Sequence, residues 1–216
     1  MAITFYYGSG SPFAWKVWCV LEHKQLPYEW KRLQFNVAEL KSEAFLAVNP
    51  RGKVPAIVDE DVVVYESNAI VEYLEERYPE RSILGSGNAN RARNRRMAAE
   101  ADHYLYPLQR ELFVQTLFRP ADKGRDRAAI DKAIEAIVHE LAHWERSLGS
   151  AQYFGGDEPS LADWAAFPVM RAFVRVEERE PDNGLGDKTP AWMRAYIARM
   201  EALPIIQKTW PPHWKG

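Results

Sequence analysis

Two short stretches carry residue types at spacings that suit the capture of a small, doubly charged molecule. Asn49-Pro50-Arg51-Gly52-Lys53-Val54-Pro55-Ala56-Ile57-Val58 reads as a turn entering a strand, and Tyr65-Glu66-Ser67-Asn68-Ala69-Ile70 as a strand entering a helix. A cis bond before Pro55 would turn the chain so that the Val54 N–H and C=O face outward, where an extended peptide pairs as an added strand. The plain alternative is an edge-strand proline with no ligand. Ser67 stands at a helix N-terminus, where free N–H groups and the helix dipole favour a carboxylate. Glu66 beside it suits an ammonium. One α-amino-acid head group presents both charges, so the two stretches together describe a binding edge for a short peptide. A serine that merely caps a helix is the competing reading.

These residues need elements to hold them. Ile3 to Tyr7 is a short β-rich run ending in Gly8-Ser9-Gly10. Ser11-Pro12 opens a helix to about Lys24, serine suiting the N-cap and proline the first helical position. Tyr28 to Leu33 reads as a second strand and Leu40 to Val48 as a helix. Val54 to Val58 and Val62 to Tyr65 form a hairpin around Asp59-Glu60-Asp61, and Ser67 to Tyr78 is a helix closed by Pro79. Strand signals then all but cease. Arg91 to Phe118 and Arg125 to Leu148 are long helical patterns. Ser160-Leu161-Ala162-Asp163 resembles a capping box with Asp for the usual Glu or Gln, and the helix it opens is apolar nearly all round. Pro190 to Met200 and a short turn near Ile205 follow. The fold class expected is α/β plus all-α: residues 1–80 as a βαβ-α-ββα domain, 81–90 as a linker and 91–216 as a helical domain.

Composition bounds the function. The chain has 216 residues with 47% hydrophobic content and a net charge of -2, so bulk charge makes no case for nucleic acid or an acidic membrane. Its single cysteine, Cys19, allows no intrachain disulfide and fits a reducing compartment. No signal peptide is recognisable, and no apolar run approaches the roughly 20 residues that span a bilayer. A cytoplasmic protein is the expectation. Eight tryptophans suggest a large aromatic core, a binding cleft, or both.

Asn49-Pro50-x-Gly52-Lys53-Val54-Pro55, Glu66-Ser67-x-Ala69-Ile70 and a helical half carrying Ser160-x-x-Asp163 resemble the glutathione transferase family over essentially the whole chain. The resemblance implies a thioredoxin-like N-terminal domain, a helical C-terminal domain and a homodimer. It implies that Val54, next to Pro55, pairs with the cysteinyl part of glutathione, that Glu66 and Ser67 hold the γ-glutamyl head, and that Lys53 and Lys41 approach the glycyl carboxylate. Phe13 is placed beside the glutathione. The family carries a Ser, Tyr or Cys just after the first strand to activate the thiol. Ser11-Pro12-Phe13-Ala14 looks like the segment of tau-like, omega-like and many bacterial serine-type members. A hydroxyl there donates to a thiolate at a helix N-terminus and lowers its pKa. Ser9 is the alternative activator, with Tyr6 and Tyr7 behind it. Cys19 lies too far into its helix and reads as a buried small hydrophobe.

Trp15, Tyr104, Tyr106, Arg110 and Phe113, with Phe13, are the candidate electrophile site. Tyr106, Arg110 and Phe113 share one helix face, though the same aromatics would serve equally well as packing. The function so implied is attack by the glutathione thiolate on a small hydrophobic electrophile, with no metal. The alternatives are a non-catalytic glutathione-binding stress or regulatory protein, or a glutathione-dependent isomerase, peroxidase or dehalogenase. Two further motifs mislead. His139-Glu140-Leu141-Ala142-His143 fits the zinc-protease pattern, but both histidines fall opposite Leu141, on the solvent side of an amphipathic helix. Arg91, Arg93, Arg95 and Arg96 are followed by Glu100 and Asp102, a solvated or dimer-facing surface rather than a nucleic-acid site.

Overall fold

The computed structural model describes residues 2–119 and 123–214. The chain forms two compact units. One runs to Ile83 and takes back the stretch from Leu203 onward; the other is Leu84–Ala202.

The first unit is built on β1 (Ile3–Tyr7), α1 (Pro12–His23), β2 (Tyr28–Arg32), α2 (Val37–Leu40), α3 (Glu43–Val48), β3 (Ala56–Asp59), β4 (Val62–Tyr65) and α4 (Ser67–Arg77). The strand order is β2-β1-β3-β4. β1 and β2 pair in parallel, whereas β3 runs antiparallel to both β1 and β4. Alternation on β1 places Ile3, Phe5 and Tyr7 inward, and Phe5 pairs across with Ile57. Val17, Leu21, Ile70 and Leu74 meet them from α1 and α4, all fully buried. Each such side chain is worth about 1.5–3 kcal/mol of burial.

Between β2 and β3 the structure departs from the single helix expected over Leu40–Val48. Asn36 accepts a hydrogen bond from the Glu39 N–H and Ser42 one from the Phe45 N–H, so two caps start two short helices. The expected linker 81–90 begins inside the first unit. Ile83 is buried, and Ser82 and Ile83 both donate to Glu75. Glu75 also meets Lys24 at 2.8 Å, with both side chains almost wholly buried. The Lys24 ammonium donates further to the carbonyls of Tyr78 and Arg81.

The second unit contains α5 (Asn88–Glu100), a π-helical turn (Ala101–Leu105), α6 (Tyr106–Gln115), α7 (Arg127–Leu148), α8 (Leu161–Arg179) and α9 (Ala191–Glu201). The unbroken helix expected over Arg91–Phe118 is thus interrupted. The Tyr106 N–H reaches back to the Ala101 carbonyl, a wider turn immediately before Pro107, which has no N–H to give. α7 buries Ile130, Ile134, Ile137, Leu141 and Leu148, as its periodicity requires. α8 is the core element: every residue from Leu161 to Phe173 is buried. Its start is the expected capping box, with Ser160 and Asp163 each accepting from the other's backbone. Asp163 also accepts from the Phe154 and Gly155 N–H groups and the Tyr196 hydroxyl, fastening a loop and α9 to α8.

The stretch after Ala202 does not stay with the helical unit. α10 (Pro204–Thr209) and the residues to Trp214 pack on α1. No helix among the described residues is long and apolar enough to cross a membrane.

Candidate active site

The turn before β3 is templated by one buried side chain. Asn49, 1% exposed, donates from its amide to the Lys53 carbonyl at 2.6 Å and accepts from the Arg51 N–H at 3.0 Å. Gly52 sits at φ 60°, and a Cβ there would lie 2.6 Å from the Leu40 carbonyl oxygen, so the close turn requires glycine. The chain leaves this turn through Val54, joined to Pro55 by a cis bond. No hydrogen bond from the described residues engages the Val54 backbone, which stands two residues before the β3 ladder. Lys53 is exposed. The Lys41 ammonium donates to the Arg51 carbonyl at 3.0 Å, bracing the same turn from outside.

β4 delivers the chain to α4 through Glu66, exposed and held at φ 71°, ψ 117°. That is a positive-φ conformation rare for a residue with a Cβ, and the surrounding structure holds the backbone there against its preference. No side chain caps α4. Its first intrahelical bond runs from the Ile70 N–H to the Glu66 carbonyl, so the N–H groups of Ser67, Asn68 and Ala69 have no partner in the helix backbone. The Ser67 hydroxyl has no partner among the described residues either. Lys16, reaching across from α1 and 1% exposed, donates to the Asn68 side chain at 2.7 Å. A buried ammonium thereby adds to the positive end of α4. A carboxylate is the group this helix end favours, with the exposed Glu66 carboxylate beside it for an ammonium.

Ser11 is the N-cap of α1. Its hydroxyl accepts from the Ala14 N–H at 3.3 Å, which leaves the O–H proton free to donate. Ser9 is differently placed: its hydroxyl meets Nδ1 of His213 at 2.6 Å. Tyr7 is buried with its hydroxyl unpartnered among the described residues, and burial raises it above the ordinary tyrosine value. Ser9, Ser11 and Tyr7 line one small pocket with Trp15, Trp18, Thr209 and Pro211. Tyr6 leans on Phe45 at the other face of the sheet. Cys19 is fully buried, and burial pushes its thiol up to about 12, so it is inert as a nucleophile.

The remaining predicted residues fall in different surroundings. Phe13 is half-buried beneath the Lys16 ammonium, 5.7 Å from its ring centre. Trp15 is turned into the core of the first unit. Its indole N–H donates to Thr209 at 2.9 Å, and its ring stands edge-on to Trp210 and Trp214. In the second unit Tyr106, Arg110 and Phe113 follow one face of α6, while Tyr104 lies in the π-helical turn and is 62% exposed. Burial raises the Tyr106 phenol, and the Arg110 cation one turn on counters part of the shift. Along α7, Glu140 accepts from the Trp144 indole and His143 lies 3.8 Å from Glu100. The glutamate that would activate a zinc-bound water is therefore already committed. Sequence reading quoted Asn49 without giving it a role and missed Lys16 and His213. Asn49 opens the quoted turn motif and Lys16 lies two residues past Ser11-Pro12-Phe13-Ala14, but His213 gives no local signal.

A thioredoxin-like sheet with an uncapped α4, a serine at the start of α1 and an all-helical second half define a class. The model of the glutathione S-transferase N-terminal domain matches residues 10–77, and that of the C-terminal domain residues 127–199. Glutathione S-transferase 3 of Zea mays is 33% identical, covering 92% of this chain and 89% of its own. Maleylacetoacetate isomerase of Pseudomonas aeruginosa is 34% identical over 81% of this chain and 82% of its own. The crystal structure of a glutathione S-transferase from the Antarctic clam Laternula elliptica superposes with a TM-score of 0.78 at 31% identity, covering all of this chain and 94% of that one. The chain belongs to the glutathione S-transferase family.

Proposed function

We propose that this protein is a glutathione transferase in which Ser11 stabilises the glutathione thiolate for attack on a small hydrophobic electrophile. The observation that carries the reading is the open N-terminus of α4, with Ser67 unpartnered and Glu66 held at φ 71° beside it. On this reading the γ-glutamyl carboxylate takes the Ser67 hydroxyl and the first-turn N–H groups, and its ammonium takes Glu66. The cysteinyl backbone pairs with Val54, bringing the sulfur toward the start of α1. Ser11 has a proton to donate there. Lys53 is free to meet the glycyl carboxylate, with Lys41 behind it and Phe13 flanking the peptide. Tyr106, Arg110 and Phe113 are the favoured electrophile contacts, with the exposed Tyr104 at their margin. Trp15 serves the core.

The thiolate attacks the electrophilic carbon, forming the C–S bond. In substitution the leaving group departs with its electron pair; in conjugate addition the new carbanion takes a proton from water. Calorimetric titration with glutathione, followed by a chlorodinitrobenzene conjugation assay, tests this. Glu66→Ala should weaken glutathione binding by about 1.5–3 kcal/mol, the scale of a charge-assisted hydrogen bond. No binding by the wild type, or an unchanged dissociation constant in the variant, removes the head-group assignment.

The maleylacetoacetate isomerase relative favours a second reading, glutathione-assisted isomerisation at the same site. Turnover of a cis-enone diacid without net glutathione consumption would select it. We also infer a cytoplasmic homodimer. The exposed Phe35, Val37, Val62 and Val63 of the first unit offer apolar surface for a second copy, and light scattering reads the mass.

A further inference from the structure

Ser9 and Ser11 belong to a loop with no regular structure of its own, and the loop is held from 200 residues away. Ser9 is 8% exposed, and its hydroxyl is bonded at 2.6 Å to Nδ1 of His213. Gly10, between the serines, adopts φ 83°, and a Cβ there would stand 2.7 Å from Cε1 of the same imidazole. The His213 ring therefore lies flush against the loop backbone as well as bonding to it. The tail that presents His213 is itself anchored. Thr209, fully buried, accepts from the Trp15 indole at 2.9 Å and donates to the Ile205 carbonyl at 2.9 Å. Trp210 and Trp214 pack edge-on against Trp15, and Lys208 pairs with Glu22 on α1 at 2.7 Å. Pro211 closes the small pocket beneath Ser9 and Ser11.

We propose that His213 is a positioning residue for the thiol chemistry: through Ser9 it fixes the Gly8–Ser11 loop, and so the direction in which the Ser11 hydroxyl points. The proposal rests on the glutathione transferase reading. Ordering a backbone opposes its conformational entropy, and this loop has only the single internal bond from the Ser11 N–H to the Gly8 carbonyl, 3.1 Å. A neutral hydrogen bond shifts such a population by about two- to twelvefold, enough to decide between one loop conformer and several. A donor displaced by an ångström loses much of its effect on a reacting atom. Head-group capture depends instead on Glu66 and Ser67 at the β4–α4 junction, β4 standing two strands from β1 in the sheet. The two functions should separate.

The test uses the full-length protein as His213→Ala, His213→Asn, Ser9→Ala and the double alanine variant, with glutathione as ligand. The His213→Ala variant should lose about three- to tenfold in kcat for conjugation, with the pKa of bound glutathione raised by about half a unit to one unit and its KM changed less than about twofold. Asn, whose side-chain amide reaches where Nδ1 stands, should restore most of the loss. Ser9→Ala should match His213→Ala, and the double variant should be no worse than either. An unchanged kcat and thiol pKa in His213→Ala, a loss confined to KM, or multiplied losses in the double variant overturns the proposal. If the wild type does not bind glutathione, the transferase reading itself fails. The tail contact is then judged by amide hydrogen exchange at Gly10 and Ser11: faster exchange in His213→Ala supports it and unchanged exchange refutes it.

Discussion

Ser11→Ala separates two jobs carried by one hydroxyl. As an N-cap, Ser11 accepts from the Ala14 N–H, but at 3.3 Å the bond is long. Removing a capping serine costs about 0.5–2 kcal/mol, and the long bond places this one near the lower end, about 0.5 kcal/mol. As a donor to a thiolate, the same hydroxyl makes a charge-assisted bond worth about 1.5–3 kcal/mol. One pKa unit corresponds to about 1.4 kcal/mol, so the thiol of bound glutathione should rise by about one to two units in the variant. The thiolate fraction at pH 7, and kcat with it, should fall by up to one to two orders of magnitude while the protein stays folded, the more so the higher the bound thiol pKa stands in the wild type. Urea unfolding measures the first effect, and ultraviolet thiolate absorbance of the saturated complex, titrated with pH, measures the second. A variant that shows the capping loss with bound thiol pKa unmoved would falsify the activator role and leave Ser11 as a cap alone. The same titration on Ser9→Ala should give the smaller shift of a residue acting through loop geometry.

Further outcomes follow from three features of the two units. Lys24→Met should destabilise the first unit by about 3–5 kcal/mol in urea unfolding, because it leaves Glu75 charged, buried and without its cation; Lys24→Met combined with Glu75→Leu should recover part of that loss. Burial alone would raise the Glu75 carboxyl, but hydrogen bonds from Lys24, Ser82 and Ile83 outweigh it and hold the group below its ordinary 4.5. Its stabilisation is therefore complete above that value and lost as pH falls through the depressed one, and Glu75→Gln should remove this part of the acid-unfolding curve. Glu66→Gly should relieve the left-handed backbone and raise the melting temperature while weakening glutathione binding; a fall in both would show that φ 71° is not strained there. Asp163→Ala should cost about 3–5 kcal/mol and slow refolding of the second unit, since it orphans buried N–H groups at Ser160 and Phe154 and a part-buried one at Gly155; a loss under about 1 kcal/mol would mean the box is dispensable.

What could be read in advance was local. Pro55 after Val54, Ser67 after Glu66 and Asp163 three residues past Ser160 each declare themselves within a few positions, because turns and caps are made by neighbours. The helical periodicity of α7 was legible for the same reason: its buried residues repeat along one face. Contacts between distant residues were not legible. Trp15 reads equally well as cleft or core until Thr209, Trp210 and Trp214 are seen around it. Leu40 to Val48 reads as one helix because propensity hardly distinguishes a continuous helix from two capped at Asn36 and Ser42. Lys24 and Glu75 each look like solvated charges, and only the fold brings them together in the interior.

The return of the chain to the first unit after Ala202 has a consequence for how the protein is made. Synthesis proceeds from the N-terminus, so the sheet and α1 emerge well before α10 does. Until then the face of α1 bearing Trp15 and Cys19 has no cover, and an aromatic surface stands open while the whole helical unit is translated. The helical unit, contiguous from Leu84, can close as soon as it leaves the ribosome. The unit begun first is therefore finished last, and chaperone dependence should track the α10 segment more than any strand of the sheet.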